Sequence, residues 1–211
     1  MDLKSRFREV VETEEGFRAV MGSPHPVVVQ KELNKLDSHA REFIGRSSFL
    51  LIGTSGANGQ IDMSPKGDPP GFVHVLDEQT LAIPDRPGNK RADTFLNLIV
   101  NNRIGLIFFI PGKDETLRVS GRAIIVRDLA IRERMAIRDR LPEFAIVVEV
   151  DQMFFHCAKC IIRSNLWEPE HWPTLAGLPS LAETMVSAGK LQLSVEEMQA
   201  EVDNDAATRL Y

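Results

Sequence analysis

The sequence predicts an antiparallel β-barrel with helices packed outside it, a mainly β fold of the α+β class. Six or seven short strand-like segments follow one another mostly as hairpins, and only two helical segments are inserted among them. The pattern lacks the strict strand–helix alternation of a doubly wound parallel sheet. Short antiparallel strands close most economically into a barrel, because closure removes exposed strand edges.

The N-terminal part of the chain is predicted to be helical and peripheral. Thr13 and two following glutamates precede an apolar helical pattern that Pro24 ends, which is typical of a capped helix. A second helix is predicted over residues 37–46, with Phe43 and Ile44 on its buried side. Both helices come before the first strand-like segment.

From residue 47 the apolar pattern changes to that of strands. Apolar runs, alternation and turn residues predict strands at residues 49–52, 60–65, 72–76, 80–83, 104–110, 116–126 and 144–150, with helices at 92–101 and 129–141. Gly121 lies in the middle of the sixth strand, where a bulge or bend would relieve curvature. Two C-terminal helices are predicted over residues 180–188 and 194–208, and Ser194 and Glu197 have capping-box spacing.

The order of these elements divides the chain into three predicted segments. Residues 1–46 form an N-terminal helical segment packing on the barrel, residues 47–165 form the barrel domain, and residues 166–211 form a C-terminal helical extension. A chain of 211 residues can bury one good core with a small appendage of this kind.

Composition and charge narrow the class of partner. The formal net charge is −5, and no block of basic residues marks a nucleic-acid groove. The longest apolar runs, at residues 49–52 and 106–110, are far too short to span a bilayer. The first residues lack the apolar core of a signal peptide, and only two cysteines occur. We therefore expect a cytoplasmic protein that binds neither nucleic acid nor a membrane.

The strongest candidate site is a cationic turn at residues 82–91. Its sequence is Ala-Ile-Pro-Asp-Arg-Pro-Gly-Asn-Lys-Arg. Free backbone N–H groups and the dipole at the start of the following helix favour a phosphate there. Arg86, Lys90 and Arg91 would add charge-assisted hydrogen bonds, and Gly88 would let the backbone approach closely. The alternative is a solvated loop whose basic residues stay in water.

The helix that follows this turn is predicted to be amphipathic. Ala92, Phe95, Leu96 and Ile99 have the i, i+3, i+4, i+7 spacing that puts apolar side chains on one helix face. The cationic turn would therefore lie at the N-terminus of a helix packed against the barrel.

Two further segments are candidates for ligand contact. The strand exit Asp-Met-Ser-Pro-Lys-Gly holds Ser64 and Lys66, which could reach a planar polar ligand, or could simply be solvated. Lys159, Arg163 and Trp167 combine two cations and an aromatic ring, a set that can clamp an anionic aromatic ligand or line a subunit interface. Plain surface packing is the alternative for this second set.

Other motifs give no positive support for catalysis. The glycines of residues 53–59 precede a strand rather than a helix, so a hairpin turn is a better interpretation than a dinucleotide loop. Cys157 and Cys160 lack the second Cys/His pair of a zinc site, and we expect two partly buried thiols. The five scattered histidines form no metal-binding motif, so no metal is expected, and no catalytic side chain can be named.

Three segments in this order, residues 62–71, 83–91 and 163–167, resemble the pyridoxamine 5′-phosphate oxidase-like flavoproteins, and more narrowly their subgroup of FMN-dependent enzymes. The resemblance covers roughly residues 30–175. It implies a split β-barrel of the FMN-binding type. It also implies a homodimer with two FMN molecules at the subunit interface.

The resemblance also implies which residues hold the cofactor. These are Arg86, Asn89, Lys90 and Arg91 at the FMN phosphate, Ser64, Pro65, Lys66 and Gly67 along the isoalloxazine or ribityl chain, Ile83, Pro84 and Asp85 at the flavin edge, and Lys159, Arg163 and Trp167 from the partner subunit.

The function that the resemblance implies is that of an FMN-dependent oxidoreductase, which cycles its flavin with an unidentified small molecule. The Arg-x-His substrate pair of true pyridoxamine-phosphate oxidases has no counterpart after Cys160, so pyridoxamine phosphate is disfavoured as the substrate. One alternative is a non-catalytic protein that binds or stores a flavin, haem or a deazaflavin. Another is a cofactor-free interaction module with acidic C-terminal helices.

Overall fold

The computed structural model describes residues 2–211, and its centre is an antiparallel sheet of seven strands. The strands are β1 (Phe49–Ser55), β2 (Ile61–Gly67), β3 (His74–Val75), β4 (Thr80–Pro84), β5 (Arg103–Phe109), β6 (Thr116–Val126) and β7 (Ala145–His156). They are hydrogen-bonded in the order β2-β1-β5-β6-β7-β4-β3, and all neighbours are antiparallel. The sheet and its flanking helices confirm the predicted α+β class.

Eight α-helices accompany the sheet in the described chain. They are α1 (Glu14–Met21), α2 (Pro26–Gln30), α3 (Ser38–Arg46), α4 (Asp93–Val100), α5 (Leu129–Arg134), α6 (Lys159–Ser164), α7 (Leu181–Gly189) and α8 (Val195–Thr208), with 3-10 turns at Leu3–Arg6 and Pro169–His171. The predicted capping box at Ser194 and Glu197 is present, and an equivalent one begins α7.

The described residues form two compact units, one ending at Glu32 and the other running from Leu33 to Tyr211. In the first unit, Thr13 caps α1 as predicted, since its hydroxyl accepts a hydrogen bond from the Gly16 N–H. Every described residue of this unit is exposed. The division into residues 1–46, 47–165 and 166–211 stays a prediction.

The core of the second unit lies between the sheet and α3. Asp37 caps α3, and Phe43 and Ile44 are buried against the sheet as predicted. Alternate residues of the long strands point into the same core. The largest fully buried side chains include Leu50, Ile52, Leu81, Ile83, Leu106, Phe108, Leu117, Val119 and Ile146.

The bulge predicted at Gly121 is confirmed. The register between β6 and β7 shifts between Ser120 and Gly121. A Cβ atom at Gly121 would overlap the carbonyl oxygen of Glu149 on β7, so only glycine allows this close approach of the two backbones.

Several elements differ in length from their predictions; β1, for example, continues to Ser55 instead of ending at residue 52. The strand predicted over residues 72–76 is reduced to the two residues of β3, and β7 continues to His156 instead of ending at residue 150. The helix predicted over residues 129–141 ends at Arg134, because the chain then enters a tight turn in which Arg138 and Asp139 are left-handed.

The predicted buried face of α4 is wrong. Leu96 and Ile99 are 57% and 73% exposed, whereas Thr94 and Leu98 are buried. Polar side chains set the rotation of this helix: the Asn97 amide donates to Thr54 Oγ1 at 3.1 Å on β1. An apolar helix face is consequently left exposed beside the sheet.

Two expectations from composition can be compared with the structure. None of the helices in residues 2–211 has both the length and the apolar character needed to cross a membrane. Cys157 and Cys160 are both free and exposed, so the expectation of partly buried thiols is wrong. They lie where β7 ends and α6 begins, outside the core.

Candidate functional site

Two neighbouring cavities adjoin the cationic turn, and the larger of this pair has a volume of about 750 Å3. Its walls are formed by β2, by the turn that joins β4 to α4, and by the start of α4. Antiparallel pairing of β4 with β7 fixes the position where the turn leaves the sheet, at Pro84 opposite Ala145. The cavity therefore lies at the site that the sequence predicted.

The backbone of the turn is strained. Lys90 and Ala92 have φ angles of 62° and 58°, in the left-handed region that non-glycine residues rarely adopt. The side-chain oxygen of Asn89 accepts a hydrogen bond from the Arg91 N–H at 3.0 Å, which fixes the local path. Ala92 gives α4 no side-chain cap, so the first N–H groups of the helix remain available to a ligand.

Two of the three predicted phosphate-binding cations are already paired. Arg91 Nε lies 2.8 Å from Asp93 Oδ2, and this carboxylate raises the pKa of Arg91. Arg86 Nε donates to Asp68 Oδ2 at 2.5 Å, and its terminal nitrogen donates to the Met135 carbonyl at 3.0 Å.

Lys90 differs from both arginines. Within residues 2–211 its ammonium group has no hydrogen bond or ion pair, and its side chain lies at the cavity. Of the three predicted phosphate-binding cations it is the most available to an incoming anion, because no carboxylate has to be displaced.

The Arg86–Asp68 pair is buried, with side chains that are 18% and 1% exposed. A buried ion pair stays intact because either charge alone would be strongly destabilised. Arg86 lines the cavity but is held in place by Asp68, so its guanidinium shapes the turn more than it offers charge to a ligand.

The strand β2 forms the opposite wall. Ser64, Pro65 and Lys66, which were predicted to contact a ligand, line the cavity. Asp62 accepts a hydrogen bond from Thr94 Oγ1 at 3.0 Å, which ties β2 to the start of α4. The two walls of the cavity are therefore joined by a direct side-chain contact.

Asp85 lies between the two cavities of this unit and lines both. Burial raises the pKa of its carboxyl group, and the nearby charges of Lys66 and Arg86 oppose that effect. Its backbone N–H donates to the Phe144 carbonyl at 3.0 Å. Asp85 is thus a carboxyl group that exchanges protons closer to neutral pH than an exposed aspartate does.

An apolar wall completes the cavity, and the sequence analysis did not identify most of it. The rings of Phe95 and Phe144 are 5.9 Å apart and tilted at 53°. Met63, Ile99 and Ile125 extend this wall. The exposed apolar face of α4 was the available sequence signal, but it was interpreted as core.

Not all predicted residues line this cavity. Gly67 ends β2 beyond the lining, and Ile83 and Pro84 are buried in β4. Lys159 and Arg163 are exposed on α6, and the Trp167 indole N–H donates to the Lys113 carbonyl at 2.9 Å. These last three residues were predicted to act on a partner subunit, which stays a prediction.

Comparison with protein families identifies the class of the chain. The family model described as pyridoxamine 5′-phosphate oxidase matches residues 36–157, more than half of the sequence. The chain therefore belongs to this family, and its antiparallel sheet with flanking helices is a split β-barrel. A search of curated protein sequences gave no match.

Several solved structures resemble this chain. HupZ from Group A Streptococcus has 20% sequence identity and a TM-score of 0.46, with 56% of this chain and 92% of that chain covered. A Clostridium acetobutylicum protein related to general stress protein 26, of the pyridoxinephosphate oxidase family, has 18% identity and a TM-score of 0.43, covering 56% and 85%. HutZ from Vibrio cholerae, named as a haem storage protein, has 15% identity and a TM-score of 0.42, covering 58% and 94%. These values are too low to assign a ligand or a reaction.

Proposed function

We propose that this protein is an FMN-dependent oxidoreductase that binds the FMN phosphate at the turn of residues 88–92. The observation that carries the proposal is the uncapped start of α4, which opens on the larger cavity beside the unpaired Lys90. An anion at this position would meet free N–H groups, the positive end of the helix dipole and an ammonium group.

The cavity fits a flavin nucleotide in size and in chemistry. Its volume of about 750 Å3 is within the usual range of ligand and cofactor sites. The polar turn lies at one end, and the apolar side chains of Met63, Phe95 and Phe144 form another wall. This division suits a ligand that has a phosphate at one end and an aromatic ring system at the other.

Each group of residues then has a distinct task. Lys90 and the first N–H groups of α4 bind the phosphate, with Asn89 and Arg91 holding the turn in shape. Ser64 and Lys66 offer polar contacts along β2, while the apolar wall excludes water from the ring system. A bound flavin supplies the hydride chemistry, and the protein supplies binding, orientation and electrostatics.

The test is to titrate the purified protein with FMN and with riboflavin, which lacks the phosphate, and to follow the visible spectrum. We expect Lys90→Ala to weaken FMN binding by about tenfold to a hundredfold, because it removes a charge-assisted hydrogen bond. Riboflavin binding should not change. Lys190→Ala is the matched control, since Lys190 is also exposed and left-handed but lies outside the cavity.

Equal losses of FMN and riboflavin affinity in Lys90→Ala would contradict the phosphate role of this lysine. A protein that binds neither compound would contradict the proposed cofactor itself. The two outcomes are distinguished in the same titration.

A homodimer forms part of the proposed function. The exposed apolar residues Met63 and Ile99 line the cavity, and Ile61 and Leu96 are exposed on the same strand and helix, a pattern typical of a surface that another protein covers. In such a dimer, Lys159, Arg163 and Trp167 of the partner subunit would approach the flavin. Light scattering of the parent protein should give twice the chain mass of 23.6 kDa.

Ile99→Glu should convert that dimer to monomers and weaken FMN binding, because a carboxylate would be buried in an apolar interface. Leu175→Glu changes a similarly exposed side chain outside the cavity and should leave the mass unchanged. A monomeric parent protein would contradict the proposed interface.

The second candidate is a non-catalytic binding protein for a flavin, a deazaflavin or haem. Haem is disfavoured by the lining of the larger cavity: of the described residues there, none is histidine, cysteine or tyrosine, and Met63 is the one axial-ligand type present. Flavin storage and flavin catalysis differ in turnover. A bound flavin that NADH, NADPH or dithionite with added acceptors cannot cycle would favour storage.

A further inference from the structure

A second cavity of about 610 Å3 adjoins the first and has no task in the proposed function. It is bounded by the turn of residues 137–140 and by the start of the loop after β4. Asp85, Arg86 and Glu143 line both cavities, so a ligand in one would lie next to a ligand in the other. Tyr211 lies in its lining, although it is far from the other lining residues in sequence.

Tyr211 is held there at both ends. Its phenol group donates a hydrogen bond to Asp68 Oδ1 at 2.9 Å, and its main-chain oxygen accepts one from Arg140. Its ring lies beside two guanidinium groups, 4.8 Å from Arg138 and 5.9 Å from Arg86. The surroundings therefore recognise a hydroxyl group, an aromatic ring and an oxygen acceptor in one residue.

Two other charged residues of the cavity wall, Arg132 and Glu143, already have partners. Arg132 Nε donates to the Pro142 carbonyl at 2.6 Å, and Glu143 is paired with Arg127. By contrast, within residues 2–211 the guanidinium group of Arg138 has a cation–π contact with Tyr211, and that of Arg140 has a hydrogen bond to Tyr211; neither group is paired with an aspartate or glutamate carboxylate. If Tyr211 left the cavity, both cations would lose this partner, and Arg140 would face the cavity.

The segment that carries Tyr211 is short. It follows the end of α8, and its Arg209 lines the first cavity while Leu210 is exposed. Residues 209–211 therefore pass from one cavity to the other. The contacts of Tyr211 are hydrogen bonds and cation–π contacts that a ligand of similar chemistry can make in its place, so such a ligand can displace it.

We infer that the second cavity binds an aromatic ligand that carries a hydroxyl group at one end and an anionic group at the other, and that Tyr211 is a tethered occupant which this ligand displaces. The hydroxyl group and the ring follow from what Tyr211 presents to Asp68 and Arg138. The anionic group follows from the positive charges of Arg138 and Arg140, which would attract an anion at the oxygen acceptor. As a substrate site beside the flavin, a role that rests on the proposed function, the cavity would select hydroxyaryl carboxylates. The binding event itself does not depend on the flavin.

The probe for the test is 3-(4-hydroxyphenyl)propionate, titrated calorimetrically into the full chain. We expect Tyr211→Ala to bind it about tenfold more tightly than the parent protein does, because the competing occupant is gone. Leu210→Ala, in the same segment but outside the lining, should bind as the parent does. Adding Arg140→Glu to Tyr211→Ala should abolish binding.

Tyr211→Phe gives a second, milder variant that keeps the ring and loses the bond to Asp68. Its affinity for the probe should lie between those of the parent and Tyr211→Ala. Unchanged affinity or no binding in both Tyr211 variants would overturn the inference. FMN affinity, measured separately on each variant, should not change, so failure of this site and failure of the proposed flavin site are distinguishable.

Discussion

Two turns of this protein each contain two non-glycine residues with a left-handed backbone, but their polar groups are satisfied differently. Lys90 and Ala92 are left-handed in the turn before α4, and Arg138 and Asp139 are left-handed in the turn after α5. The second turn is closed by two hydrogen bonds between the backbones of Ile137 and Arg140, at 3.1 and 2.9 Å. The first leaves a helix start without a side-chain cap and a lysine without a partner.

The difference indicates what each turn is for. Strain combined with polar groups that the protein satisfies itself is typical of a structural turn. Strain combined with polar groups left open is typical of a functional site. The turn before α4 is therefore open to a ligand as the structure stands, whereas a ligand at the second turn would first have to displace Tyr211 from Arg138 and Arg140.

The largest expected effect separates a structural cation from a ligand-binding one. Arg86→Ala should lower the free energy of unfolding by about 3 kcal/mol, because it leaves the buried Asp68 carboxylate unpaired. Lys90→Ala should change it by less than about 0.5 kcal/mol. Urea denaturation of both variants measures the difference. Equal losses of stability would remove the distinction between the structural Arg86 and the ligand-binding Lys90.

A smaller effect is expected from relieving backbone strain. Ala92→Gly should raise the free energy of unfolding by about 0.5 to 1 kcal/mol, because glycine adopts positive φ easily and is a better N-cap than alanine. Asp139→Gly should raise the free energy of unfolding by less, since aspartate already tolerates this conformation. Thermal unfolding of the two variants tests the order. A loss of stability in Ala92→Gly would mean that its left-handed backbone carries no strain.

The smallest effect concerns pH, at the residue that both cavities share. The pKa of Asp85 is raised in the folded protein, so the folded state binds a proton at a higher pH than the unfolded chain does. Stability from this group is present at low pH and is lost as pH rises through its folded pKa. Asp85→Asn should therefore gain stability relative to the parent as pH increases through that window, as measured by urea denaturation.

Asp77 gives a control of opposite sign. Its pKa is lowered, chiefly by a hydrogen bond from the Gln79 backbone, so its contribution is present above the unfolded pKa and is lost as pH falls through the folded pKa. Asp77→Asn should lose stability relative to the parent at neutral pH. If both variants changed in the same direction, the cause assigned to Asp85 would be wrong.

Local sequence patterns were enough to predict most of the fold. The residues of β6 and its bulge at Gly121 were predicted because alternation and a mid-strand glycine are local signals. The buried face of α4 was not predicted correctly, because the rotation of this helix depends on hydrogen bonds to Thr54 and Asp62 on neighbouring strands. Apolar spacing alone cannot distinguish a face that meets the core from one that lines a cavity.

In the candidate site, too, some features could be predicted from local sequence and others could not. The position of the cationic turn follows from a strand, a turn and a helix that are adjacent in sequence. The pairing of Arg86 with Asp68 crosses 18 residues and depends on the closed fold. Tyr211 reaches Asp68 across 143 residues, and no local pattern could have associated the two.

The two outer strands of the sheet have a consequence for how this protein meets other molecules. β2 is bonded on one side to β1, and Pro65 in its middle has no N–H to offer a further strand, while β3 at the opposite end has two residues. Neither edge strand can pair along its length with a further strand through backbone hydrogen bonds, which protects the chain from fibrous aggregation. Any second copy must instead dock through side chains.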